Sequence, residues 1–185
     1  MLAIVKQFVR ESFANSIFGV ESLEHFERTV HWVEQLKPDA DEAIRIAAYA
    51  HDIERAFRKK SSAETFQDKE FNDSDFLVGH ETQGAKIITR LLHEQHFDEE
   101  KIQRVAHMIR HHEEGGDGES DLIKDTDSIS YLEINAVKHV QLTEKLGVEK
   151  IQRKIDWMYH RITSEKAKKL AQPFYKKAIR ILLAA

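Results

Sequence analysis

Two prolines in 185 residues, Pro38 and Pro173, together with only seven glycines, are what most constrain this chain. Proline and glycine punctuate loops and turns, and runs that alternate apolar with polar residues are missing. The sequence therefore reads as nearly all helix. Ile4, Val5, Phe8 and Val9 mark a helix over residues 2–14 that ends before Gly19. Leu23, Phe26, Val30, Val33 and Leu36 line one face of a second, from near Glu21 to Pro38. Asp39 or Asp41 can cap a third, which carries Ile44, Ala47 and Ala48 and ends around His51-Asp52. Residues 58–76 are polar, with Phe66, Phe71 and Phe76 interspersed, and read as a long connection of the kind used as a lid or binding loop. A helix from about Gly79 to Leu92 puts His80 in its first turn. Asp98 caps the next, with Ile102, Val105, Ala106 and Ile109 inward; it runs into His111-His112-Glu113-Glu114 and stops at Gly115. A long helix is expected from about Ser120 to Leu146. Beyond Val148, Ile151, Ile155, Met158 and Ile162 form one stripe, and Ser164 caps a last helix that Pro173 is expected to interrupt. The fold class is all-α, a single-domain helical bundle over residues 1–185.

The length suffices to bury a core without staples, and 41% apolar with 32% charged residues is the mix of a globular protein. No cysteine is present, which excludes disulfides and thiolate metal sites and fits a reducing compartment. The first residues lack a basic segment followed by an apolar run, and no apolar stretch approaches the ~20 residues that cross a membrane. The expected address is the cytoplasm, with no membrane partner. Charge is uneven: residues 1–149 hold 18 Lys and Arg against 30 Asp and Glu, residues 150–185 hold 10 against 2. The basic helices of residues 148–185 either complement the acidic body or meet phosphates. Overall acidity argues against nucleic acid as a partner.

Eleven histidines are the unusual count, and histidine is the commonest protein metal ligand once cysteine is absent. His51 and Asp52 are adjacent at a helix end, below small alanines that admit a close neighbour. Side chains ~100° apart on a helix converge only on a centre between them, such as a divalent metal. His25, His51-Asp52, His80, His111-His112 and Asp127 each come from a different helix, and bundles build ligand sites from facing helices. Five His and two Asp suffice for two ions of Fe, Mn, Co, Ni or Zn, with Asp52 bridging. Asp125 competes with Asp127 but faces another way. Glu54 and Glu81 are candidates for orienting neighbouring ligands. His107 sits four before His111 without the glutamate of a zinc-protease helix. His31, His93, His96, His139 and His160 read as surface or rim residues.

His25-x-x-Arg28-x-Val30, Ala50-His51-Asp52-Ile53, His80-x-x-x-Gly84-Ala85, His111-His112-Glu113 and Thr126-Asp127-Ser128 stand in an order that resembles the HD superfamily of metal-dependent phosphohydrolases. The resemblance covers roughly residues 20–135 and implies an HD-type bundle. It implies one metal on His25, His51, Asp52 and Asp127. A second, present in the binuclear branches, falls on His80 and His111, with His112 a further candidate and Asp52 shared. The His-His-Glu and later Asp-Gly are similar to the HD-GYP cyclic-dinucleotide phosphodiesterases, but Glu119-Ser120-Asp121 follows Gly118 here, and Arg55 stands where that branch has lysine. The small bacterial enzymes that hydrolyse dinucleoside polyphosphates are nearer in length.

The implied activity is hydrolysis of a phosphate ester or anhydride, with a small phosphorylated molecule, a nucleotide first among them, as substrate, and with room for a homodimer. Asp52 would bridge the metals and accept a proton. Arg55 would face a substrate phosphate, since guanidinium binds phosphate bidentately. Arg28 is a second candidate for substrate binding, or pairs with a carboxylate of the bundle; Lys124 and Lys59-Lys60 are candidates for a longer polyphosphate tail. Two other functions share this ligand order: a mixed-valent di-iron oxygenase and a non-catalytic nucleotide-sensing module.

Overall fold

The computed structural model describes residues 1–184, and no strand occurs among them. The first helices follow the apolar spacing closely. Helix α1 is Leu2–Ala14, α2 Leu23–Leu36 and α3 Glu42–Ala50. Of the two candidate caps for α3 it is Asp41 that accepts from the Ile44 amide. Phe13, Phe26, Ile44, Tyr49, Ile88 and Met108 fill the first of two apolar clusters, built from α1, α2, α3, α5 (Ser74–Glu94) and α6 (Glu99–Arg110). Each such side chain contributes about 1.5–3 kcal/mol when fully buried.

Residues 58–76 form a strap across one side of the molecule. It contains one short helix, α4 (Ser62–Thr65), closed by a capping box between Ser61 and Glu64. Helix α5 begins at Ser74, earlier than the apolar pattern suggested, because Asp73 caps it at the Phe76 amide.

The expected long helix after Ser120 is broken. Helix α7 (Gly118–Ser130) passes through a π-turn at Tyr131–Asn135 into the short α8 (Ala136–Val140) and α9 (Thr143–Leu146). π-turns inside helices frequently mark functional sites. Helix α10 (Val148–His160) and α11 (Glu165–Leu182) complete the chain. Pro173 does not interrupt α11, correcting the expectation. Pro173 and Lys169, whose carbonyl loses its partner, both lie on the solvent face, so water satisfies the freed group. No helix among the described residues is long and apolar enough to cross a membrane.

The second apolar cluster joins Trp32, Phe66 and Phe71 to Ile129, Leu132, Ile151, Ile155 and Met158 and to α11. Helix α7 runs between the two clusters, and its residues 123–130 are all buried although most are polar. Each polar group there finds a partner. Asp125 accepts from the Thr163 and Ser164 amides, Thr126 donates to the Leu122 carbonyl, and Ser128 donates to the Lys124 carbonyl. A helix with so little apolar surface is held by hydrogen bonds to its surroundings. It also carries ionisable side chains into the interior, beside the ends of α2, α3 and α6.

Candidate metal centre

His25, His51, Asp52, His80, His112 and Asp127 are all buried and meet where α2, α3, α5, α6 and α7 come together. The ring centres of His25 and His51 are 5.3 Å apart, those of His51 and His112 5.1 Å, and those of His80 and His112 5.3 Å. Close approach is needed for this, and Gly84 provides it: a Cβ on Gly84 would lie 3.3 Å from the His51 carbonyl oxygen. Two overlapping groups can hold an ion, His25-His51-Asp52 and Asp52-His80-His112, with the ligand atoms of each within 4.8 Å of one another. Asp52 belongs to both.

Hydrogen bonds on the far side of each ring fix its tautomer. His51 Nδ1 lies 2.9 Å from the Ala48 carbonyl and His112 Nδ1 2.8 Å from the Ile109 carbonyl. A carbonyl only accepts, so both Nδ1 atoms carry a proton. Ser130 Oγ donates to the His25 carbonyl at 2.7 Å and therefore accepts from His25 Nδ1 at 2.8 Å. Glu54 accepts from His80 Nδ1 at 2.8 Å. Arg58 also approaches that nitrogen, but both are donors, and its guanidinium bonds to Glu54 at 2.7 Å instead. All four rings thus turn an Nε2 lone pair inward, the arrangement typical of metal-ligating histidine.

Two of those nitrogens, His51 Nε2 and His112 Nε2, are buried without a hydrogen-bond partner. Three of the four nevertheless face carboxylates: His25 Nε2 is 3.1 Å and His51 Nε2 3.4 Å from Asp127 Oδ1, and His80 Nε2 is 2.8 Å from Asp52 Oδ1. A lone pair this close to a carboxylate is repelled unless a proton or a metal lies between. In the protein alone the proton fills the gap at His80. Burial pulls its pKa down, but Asp52 and Glu54 outweigh that and hold it at about 9. His112, with no such partner, is pushed by burial down to about 4 and stays neutral. Burial also opposes ionisation of Asp52, yet Arg55 beside it, with the histidines, holds its carboxyl well below the usual range. Orphaned nitrogens, fixed tautomers and a shared carboxylate fit a nitrogen- and oxygen-preferring divalent metal.

The structure does not bring every expected residue to this place. His111 is exposed and packs on His107, with ring centres 4.6 Å apart. Helix α6 ends at Arg110, and the histidine that turns inward after it is His112. This corrects the expectation of His111 as a ligand. Lys124 is buried but bonded to Asp121 at 2.7 Å and lies outside the pocket that contains the cluster, so it does not face a substrate there. Arg28 forms a double hydrogen bond with Glu133, both contacts 2.9 Å, and Trp32 Nε1 donates to the same carboxylate. It takes the alternative role of pairing within the bundle. Lys59 and Lys60 are exposed. Arg55 does line the pocket, with Nη1 2.6 Å from Asp52 Oδ2. Asp125, turned toward Thr163 and Ser164, leaves Asp127 as the inward carboxylate of α7.

Several residues in or beside the pocket are not assigned to it by the sequence alone. Arg161, at the end of α10, binds Glu113 and Asp127 at once. Phe66, Phe71 and Phe76 of the strap, Tyr131, Asn135 and His139 around the π-turn, and Lys154 complete the wall. His139, expected at the surface or rim, accepts or donates at Nδ1 to the Tyr131 hydroxyl at 2.9 Å. The three phenylalanines were visible as an interruption of a polar stretch. The others require the return of the C-terminal helices over the site.

A family model described as a domain of unknown function (DUF4202) matches residues 10–179. No curated protein matches the sequence. Among solved structures, the crystal structure of a predicted HD superfamily hydrolase from an uncultured Thermotogales bacterium is similar to this chain with a TM-score of 0.60. The two are 19% identical, and the match covers 99% of this chain and 90% of that one. The likeness shows the fold: an all-α HD-type bundle.

Proposed function

We propose, for a chain that belongs to the DUF4202 family and folds as an HD domain, that it is a metal-dependent phosphohydrolase with two divalent ions. The observation that carries this reading is the convergence of four Nε2 lone pairs on two groups that share Asp52. His25, His51, Asp52 and Asp127 would hold one ion, and His80, His112 and Asp52 the other. A divalent metal bound there would supply activated water at neutral pH and polarise a phosphoryl oxygen.

The side chains around the pocket favour an anionic substrate. The carboxylates of Asp52, Glu54, Glu113 and Asp127 are matched by the cations of Arg55, Arg58, Arg161 and Lys154. With His80 neutral, as a metal ligand must be, these side chains balance one another, so a metal-loaded pocket carries excess positive charge. Arg55 is the residue assigned to bind and orient the phosphate, its guanidinium already held by Asp52. Asp52 is the candidate to accept a proton at its carboxylate. The strap phenylalanines exclude water from above. The substrate is a small phosphorylated molecule of the nucleotide class, and the address the cytoplasm.

Metal analysis of the purified protein, followed by a phosphatase and phosphodiesterase panel with Mn, Co, Ni and Fe, tests the reading. Turnover that disappears with a chelator and returns with metal is the expected result. An iron-loaded protein that takes up oxygen with a mixed-valent EPR signal and hydrolyses no phosphate ester would instead favour the oxygenase. Arg55→Ala is expected to raise KM for the active ester roughly tenfold or more, the cost of one charge-assisted contact, while metal content falls far less. Unchanged kinetics remove Arg55 from the site.

A further inference from the structure

Lys154 lies on α10 among the core positions Ile151, Ile155 and Met158, and it lines the same pocket as His25, Asp52, His80 and Asp127. Its ammonium is enclosed by aromatic faces: the centre of the Trp157 ring is 4.3 Å away, that of Tyr131 5.2 Å and that of Phe71 5.6 Å. The three rings come from α10, the π-turn and the strap, so three separate elements build the cage. The neighbouring basic residues of α10 are differently employed. Lys150 donates to the Phe66 carbonyl at 2.6 Å, and Arg153 pairs with Glu70 at 2.8 Å, both latching the strap to α10. Lys154 Nζ has no such acceptor among the described residues.

A half-buried cation without an anion is costly, and aromatic faces offset only part of that. Burial pulls the Lys154 ammonium down to about 8, although Glu113 and Asp127 act against it. A structural lysine at this place would be expected to pair with a carboxylate, as Arg161 does with Glu113 and Asp127 about two turns further on. The missing partner is therefore to be sought in what enters the pocket.

We propose that Lys154 is a substrate-binding residue that donates a hydrogen bond to an oxygen of a phosphate group in the pocket, and that the aromatic cage aims it. Naming the anion as phosphate rests on the phosphohydrolase reading. The ammonium and the anion exchange no atoms; the contact selects and orients. Recognition of the anion depends on the strap, because Phe71 supplies one wall of the cage.

Titration calorimetry of inorganic phosphate into metal-loaded protein tests this, with wild type compared against Lys154→Met, Lys154→Arg and Lys177→Met and metal content measured in each. Methionine keeps the stem against the rings and removes the charge. Phosphate affinity is expected to fall roughly tenfold to a hundredfold in Lys154→Met, to be largely kept in Lys154→Arg, and to be unchanged in Lys177→Met, an exposed lysine of α11 away from the pocket. Wild-type affinity in Lys154→Met overturns the proposal. So does a wild type that binds no phosphate, or equal losses in both Lys154 variants accompanied by a fall in Tm. A wild type that binds phosphate through Lys154 yet turns over no phosphate ester upholds the assignment and sinks the hydrolase reading alone.

Discussion

Asp52→Ala is expected to strip metal from both groups at once. Asp52 is the residue common to the two candidate sets, so its loss leaves one with His80 and His112 alone and the other with His25, His51 and Asp127. Replacing a residue that merely orients a ligand already costs 10–100-fold in metal affinity, and loss of a shared ligand is expected to exceed roughly a hundredfold. Plasma mass spectrometry after dialysis should therefore find the variant nearly free of metal, with hydrolysis at background. Circular dichroism should remain helical, because the two apolar clusters do not depend on Asp52. Asp125→Asn is the matched control: that carboxylate holds the Thr163 and Ser164 amides, and its variant should keep its metal. A Asp52→Ala protein with full metal content would sink the bridging assignment.

Arg161→Met is expected to give the largest loss of stability. Its guanidinium serves Glu113 and Asp127 together, and all three side chains are at most 10% exposed. Burial of the two carboxylates is opposed chiefly by this one cation. Methionine leaves both unpaired, and breaking a buried ion pair from one side costs about 3–5 kcal/mol. For a chain of this length that corresponds to a fall in Tm on the order of 10 °C. The fall should be greatest in chelator and smaller with metal, because a bound dication replaces part of the lost charge at Asp127. A Tm unchanged in chelator would remove the pair from the account of stability.

Much of this arrangement can be read before folding is considered. The His51-Asp52 pair stands at a helix end and His25 in the first turn of another helix, where chain direction and spacing already limit where side chains go, and Asp127 follows in the order the resemblance implies. Periodicity also placed the apolar faces of α1, α2, α3 and α6. It failed where local pattern carries no information. His111 and His112 follow the last turn of α6, and which of them turns inward depends on how the chain leaves the helix. The burial of α7 could not be inferred, because a polar helix becomes internal only when both clusters close around it. Pro173 is illegible for a related reason, since its cost depends on whether the orphaned carbonyl meets water. The pairings of Arg28 with Glu133, 105 residues apart, and of Arg161 with Asp127, 34 apart, belong to tertiary geometry. Lys124 was misassigned because charge alone does not say which carboxylate claims it.

The ring-fixing hydrogen bonds have a consequence for how such a site can change over generations. His51 and His112 are oriented by main-chain carbonyls three residues upstream, at Ala48 and Ile109. No side-chain substitution deletes a carbonyl, so these two rings are inherited with the helices themselves. His25 and His80 depend instead on Ser130 and Glu54, which a single codon can alter. One half of the cluster is thus anchored to the backbone while the other is open to drift. Variation in metal preference or ligand basicity among descendants of this chain should therefore concentrate at positions 54 and 130, and spare 48 and 109.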